Sequence, residues 1–259
     1  MNVFFKSFAF GVLALSALCR MPAYAQNVHG VLRVVKGDVQ IKSAKSGQTV
    51  KARLGEKVYP KDVIVTAKDA RAKIVMVDNN EINVSPESQI EIQHYEFDPK
   101  AGKKDVLLNV IYGKVRSKVE QKYDGKTSKF QINDPSAVAG VRGTDFLTSF
   151  DRGTRSSSII TFHGKVEFGL PAPNGGILNP VMVTPGNMAS SVGGQPPAPP
   201  LPMPKDDLAK MDSDTKADTA PKGGEQNAPA PAPGGDGGKK EEPKKEEPKG
   251  EGQRTPAAA

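Results

Sequence analysis

Tryptophan is absent from the 259 residues, cysteine occurs once and histidine three times. A single thiol, Cys19, excludes an intramolecular disulfide, a cysteine-rich zinc site and a thiolate-bound cluster. Three isolated histidines do not make a His-rich metal site, so no metal or other cofactor is expected. The nucleophile elbow Gly-x-Ser-x-Gly, the zinc motif His-Glu-x-x-His and the phosphate-binding P-loop are all missing. Hydrophobic residues make up only 37% of the chain, low for a sequence that is packed throughout. A membrane-spanning run is lacking too. The uncharged stretch Ser7 to Cys19 would extend roughly 20 Å as a helix, short of the ~30 Å hydrocarbon core.

What stands at the N-terminus instead is Lys6, that apolar stretch, and Ala23-Tyr24-Ala25, the pattern of a secretory signal peptide over residues 1–25 cleaved before Gln26. Ser16 and Leu18 flank Cys19 in the wrong order for a lipid-attachment signal. The expected mature protein is cysteine-free and exported, to the periplasm or cell envelope, with no transmembrane segment after cleavage. At the other end, residues 196–259 hold 13 Pro and 8 Gly and no aromatic, and Lys239-Lys240-Glu241-Glu242-Pro243 is repeated at once as Lys244 to Pro248. Such a composition buries too little apolar surface to offset ordering entropy, so a disordered or extended Pro/Lys/Glu-rich tail is expected over 196–259. The tail carries ten basic and twelve acidic residues, whereas residues 26–195 carry 24 and 17, leaving the body at +7. In an exported protein that charge suits an anionic envelope polymer or an acidic protein face, not nucleic acid.

The body, 26–195, reads as one all-β domain of many short strands, solenoid-like or sandwich-like. Glu81-Ile82-Asn83-Val84 alternates strictly, placing Ile82 and Val84 inward and Glu81 and Asn83 toward water. Lys73 to Val77, Ile90 to Gln93 and Lys165 to Phe168 behave alike, with turn clusters such as Asp78-Asn79-Asn80 between them. Gly37-Asp38-Val39, Gly113-Lys114-Val115 and Gly164-Lys165-Val166 share a glycine turn leading into a strand. They are expected to be recurring corners with glycine at positive φ. No helix-period segment stands out between Gln26 and Ser191.

Two stretches resemble the FecR protein domain family. The first runs from Leu54 through Asp62-Val63-Ile64-Val65-Thr66 and Ala70-Arg71-Ala72-Lys73-Ile74 to Asp78-Asn79-Asn80 and the corner Pro86-Glu87-Ser88. The second, Ala137-Val138-Ala139-Gly140-Val141-Arg142-Gly143-Thr144-Asp145-Phe146, is similar to the family signature Ala-x-x-x-Val-Arg-Gly-Thr-x-Phe. Phe162-His163-Gly164-Lys165-Val166 follows it. The chain departs from the family at Asn133-Asp134-Pro135, where Thr-Pro is common. The resemblance implies an extracytoplasmic sensing domain that binds a protein partner, for which a receptor's signalling domain is one candidate. The cytoplasmic sigma-regulator segment of the best-known members is replaced here by the signal peptide.

The motif residues Gly140, Arg142, Gly143, Thr144, Asp145 and Phe146 are the candidate site, structural or partner-contacting. Gly140 and Gly143 are expected to bracket a tight turn, with Arg142 satisfying corner carbonyls or pairing with Asp145. Phe146, Thr148 and Phe150 share one strand face. His29 is expected in solvent, His94 half-buried in parity with Ile90 and Ile92, and His163 in a turn. Scattered carboxylates such as Asp62 and Asp69, or Glu91 and Asp98, read as surface groups, and catalysis is not expected. Two functions follow: a non-catalytic recognition module binding an envelope protein, or a structural protein contacting anionic cell-wall polymer.

Overall fold

The computed structural model describes residues 28–218. The signal peptide expected over 1–25, Cys19 and the repeated Lys-Glu-Pro segment lie outside these residues. The first strands are β1 (Gly30–Lys36), β2 (Val39–Lys42), β3 (Thr49–Lys51), β4 (Lys57–Val58), β5 (Val63–Thr66) and β6 (Arg71–Met76). Then follow β7 (Glu81–Val84), β8 (Ser88–Asp98), β9 (Lys103–Lys118), β10 (Lys129–Asn133), β11 (Val138–Val141) and β12 (Asp145–Asp151). The last are β13 (Ser156–His163), β14 (Val166–Pro171), β15 (Ile177–Val183), β16 (Asn187–Val192) and β17 (Leu201–Pro202), after which comes one helix, α1 (Lys205–Asp214).

Hydrogen bonding arranges the strands in two ladders that share β9. The first has the order β4-β1-β6-β7-β9-β12-β13-β16-β17. The second has the order β3-β2-β5-β8-β9-β10-β11-β14-β15. The inward halves of the alternating strands meet in one core. Leu32, Ile74, Ile82, Phe146 and Ile159 come from the first ladder, and Ile41, Ile64, Ile90, Leu108, Phe130 and Phe168 from the second. The all-β expectation is met, in the sandwich-like form.

The three glycine corners have a common job. Gly37 carries the chain from β1 to β2, and Gly164 from β13 to β14, each time from the first ladder to the second; Gly113 makes the reverse passage inside β9. Their φ values are 70°, 80° and 86°, the left-handed region that Cβ disfavours. At Gly113 the backbone also passes so close that a Cβ would stand 2.6 Å from the carbonyl oxygen of Glu87. Past this bend, residues up to Lys118 pair in the first ladder, and the chain then returns to lay β10 parallel to the first half of β9. All other pairings are antiparallel.

The boundary expected at residue 195 falls later. Residues 196–202 run back along β16, with Ala198 N–H donating to Ser190 O and Leu201 and Pro202 forming β17. Helix α1 then crosses the outer face of the first ladder. Its contacts explain a second departure from expectation: Asn83 points outward as the alternation requires, yet it is only 4% exposed. Its Oδ1 accepts the Ala217 N–H, so the C-terminal segment covers it. No helix among the described residues is long and apolar enough to span a membrane.

Candidate functional site

The Val-Arg-Gly-Thr motif joins β11 to β12. Gly140 is not a turn residue. It lies in β11, paired to Gln131 on one side and Glu167 on the other, and its lack of Cβ makes room for Ile177, whose Cδ1 would be 2.9 Å away. The turn sits at Gly143, with φ +98°, beneath the Gln121 carbonyl. Gly164 packs on the Gly143 carbonyl at a distance that leaves no space for a side chain, 2.6 Å to a built Cβ. This contact is why the two glycine corners belong together. Thr144 is buried and donates from Oγ1 to Lys165 O at 3.1 Å, tying the corners a second time. Phe146, Thr148 and Phe150 are all buried, as their shared parity predicts.

Arg142 takes neither of its expected partners. Its side chain is 63% exposed and reaches Glu167 at 3.3 Å across β11 and β14. Asp145 is instead held by Arg116 of β9, a residue that sequence reading had not singled out. Arg116 Nε and Nη2 donate to the two Asp145 oxygens at 2.8 Å each, a bidentate fork. The unexpected Asn133-Asp134-Pro135 sequence builds its own turn, the Asp134 carboxylate accepting from Ser136 N–H, Ala137 N–H and Ser157 Oγ. Burial raises the Asp134 pKa in spite of those bonds.

Arg116 is the centre of a covered groove. Besides Asp145 it donates from Nη1 to Asp212 O at 2.8 Å and Thr215 Oγ1 at 3.3 Å, and from Nη2 to Asp212 Oδ1 at 2.7 Å. Five acceptors therefore meet the five N–H groups of one guanidinium, and three of them come from the C-terminal segment. The guanidinium also lies 4.0 Å from the centre of the Phe162 ring. Burial disfavours its charge, but the Asp145 and Asp212 bonds outweigh that and hold it protonated. Burial likewise pushes the Asp212 carboxyl up, and the bonds from Lys216 and Arg116 more than offset this, leaving it below the usual carboxylate value.

The neighbouring outward positions of β1 and β6 add cations. Lys36 donates to Asp218 O at 2.9 Å, Lys73 pairs with Asp218 and with Glu81, and Arg71 donates to Asp214 O. Beside the helix remains a cleft of about 670 Å³ in which Lys73, Arg116 and Asp145 face Phe162 and Leu208. The cations thus hold the carboxylates of Asp212 and Asp218 and the main-chain carbonyls of Asp212, Asp214 and Asp218 in the C-terminal segment.

The histidines fall elsewhere. His29 is 6% exposed and packs against the Tyr95 ring; burial first, and then the charge of His94, lowers its pKa to about 4. His94 is exposed because the β8–β9 register shifts between Glu91 and His94, which reverses its parity. His163 is exposed beside Gly164. Asp62 is buried and structural, accepting from Ala44 and Tyr59 N–H. Asp78 and Asn80 are buried with Tyr95 and Tyr123 in one hydrogen-bonded cluster, which also holds Glu120 and Gln121 over the motif. Among the described residues no group of three His, Cys, Asp or Glu side chains could hold a metal ion.

Comparison with known proteins addresses the same region. Residues 62–167 match the family described as FecR protein. The FecR match therefore runs from β5 to the second residue of β14 and contains both Arg116 and Asp145. No curated protein matches the chain. Two crystal structures of a candidate anti-sigma factor from Parabacteroides distasonis share 11% identity, cover 58% of this chain and 64% of their own, and superpose with a TM-score of 0.46. This chain thus spans less than two thirds of that protein's length. A structure described as a cell surface anchoring domain shares 23% identity over 25% of this chain and 84% of its own, with a TM-score of 0.24.

Proposed function

We propose that the protein is a non-catalytic, extracytoplasmic recognition and sensing module of the FecR type, which binds a protein partner in the cell envelope. The observation that carries this reading is the FecR match over residues 62–167, which encloses the Arg116–Asp145 pair and its peptide-accepting groove. A sensing role needs a surface that recognises another chain, and this groove already holds a peptide segment through side-chain and main-chain acceptors. The signal-peptide pattern read in residues 1–25 fits a location in the periplasm or envelope. Photo-crosslinking residues placed at exposed positions on both ladders, in intact cells, test the reading. One protein captured from one contiguous face supports it; no captured protein from any position overturns it.

A second reading rests on the β2–β3 hairpin, where Lys42, Lys45 and Lys51 are exposed on a body of charge +7. There the protein would be structural, holding anionic cell-wall polymer. Co-sedimentation with purified peptidoglycan, abolished at about 0.5 M salt through charge screening, supports this function. Absent or salt-insensitive sedimentation speaks against it.

A further inference from the structure

The helix on the groove is arranged as a ligand rather than as a piece of core, although Thr215 and Ala217 just beyond it are buried. Helix α1 contributes no buried residue of its own, has no side-chain cap at its N-terminus and no basic residue in its last turn. Ten residues are too few for a helix that stands without docking. What holds the segment is charge and main-chain recognition at Arg116, Arg71, Lys73 and Lys36. The segment brings complementary charge, with five aspartates against three lysines between Lys205 and Asp218. Part of the socket is built without the segment: Asp145 takes two of the five N–H groups in a bidentate fork, and the other three are the ones that the segment's acceptors meet.

We propose that the outer face of the first ladder around Arg116 is a docking groove for an acidic peptide segment of a partner protein, and that residues 203–218 occupy it in cis. The partner segment carries two aspartates or glutamates spaced like Asp212 and Asp218, one for Arg116 and one for Lys73. It competes with the resident segment, whose tether gives it a high local concentration, so only a partner that matches both acids displaces it. The inference rests on the reading of the domain as a protein-recognition module, and adds the partner's chemistry and a built-in competitor.

The test uses the full chain and a fluorescent peptide of residues 203–218 as probe. The Asp212→Ala/Asp218→Ala chain, with its own segment loosened, binds the probe at least about tenfold more tightly than the wild-type chain, because the open fraction sets the apparent affinity. A probe with both aspartates changed to asparagine does not bind. Equal binding to both chains, or binding to neither, overturns the proposal. Hydrogen exchange on the unmodified protein gives an independent reading. Amides of Lys205–Asp214 should exchange far faster than those of β9, through opening of the segment alone. A common rate for both would make the segment an inseparable part of the fold and sink the idea. A partner crosslinked through another face, with the probe unbound, removes the groove and leaves the recognition function standing.

Discussion

Arg116 and Arg142 show how far a residue type can be read without its neighbours. Both arginines lie in the FecR-matching region, Arg116 on β9 and Arg142 in the turn between β11 and β12, yet one is 4% and the other 63% exposed at the side chain. Truncating Arg116 to alanine leaves the Asp145 carboxylate buried without its partner, which costs about 3–5 kcal/mol. Truncating Arg142 removes a surface pair worth at most about 1 kcal/mol. Thermal melts should therefore show Arg116→Ala lowered by about 10 °C and Arg142→Ala within about 2–4 °C of wild type. Removing Asp145 together with Arg116 should recover part of the loss, since no charge is then stranded; equal melting of the two single variants would contradict the assignment. The signature pointed to Asp145 but named the wrong arginine. Nothing local distinguishes them, because the partner of Asp145 lies 29 residues away on β9 and is set by strand register alone. His94 was misplaced for a related reason: a bulge between Glu91 and His94 reverses inward and outward, and alternation carries no mark of it.

At the scale of elements, the sequence was informative wherever the backbone needs a special conformation. Gly37, Gly113 and Gly164 were legible as corners, and all three have positive φ. That they move the chain between ladders was not legible, since it depends on long-range pairing. Gly113 and Gly55 separate the two costs of such a position. Both have φ above +80°, but a Cβ at Gly55 meets nothing within 4 Å, whereas at Gly113 it collides with the backbone at Glu87 and Ser88. Gly55→Ala should cost about 1–2 kcal/mol, the left-handed penalty alone. Gly113→Ala should cost at least about twice that in urea unfolding, because β9 must also shift out of one ladder. Similar costs would mean that the bend at Gly113 is soft. Helix α1 was missed because proline content dominated the reading of the region after residue 195. Its signals were present: Pro204 at the N-terminus, Asp206 and Asp207 in the first turn, and Leu208 three residues from Met211.

For the whole molecule, the first described residues lock into the core through His29. Its backbone bridges Val58 and Val77, its ring packs on Tyr95, and its Nδ1 is buried without a hydrogen-bond partner. A histidine kept neutral in this way binds its proton less readily in the folded chain, with a pKa of about 4, than in the unfolded chain at 6.5. The unfolded state therefore takes up the extra proton between these values. Stability is fully present above pH 6.5, declines as the pH falls through the window, and has lost the whole contribution below about pH 4. The loss amounts to about 3 kcal/mol, or about 6–12 °C in melting temperature for a domain of this size. His29→Phe keeps the ring against Tyr95 and removes both the titration and the unpartnered nitrogen. Its melting temperature at pH 7 should equal or exceed that of wild type, since no buried polar atom is left unpaired. Between pH 6.5 and 4 it should fall by several degrees less than the wild type, whereas a carboxylate held below its usual value, such as Asp212, gives up its contribution only below about pH 4. Parallel curves for the two proteins would place the acid sensitivity in the carboxylates and remove His29 from the account.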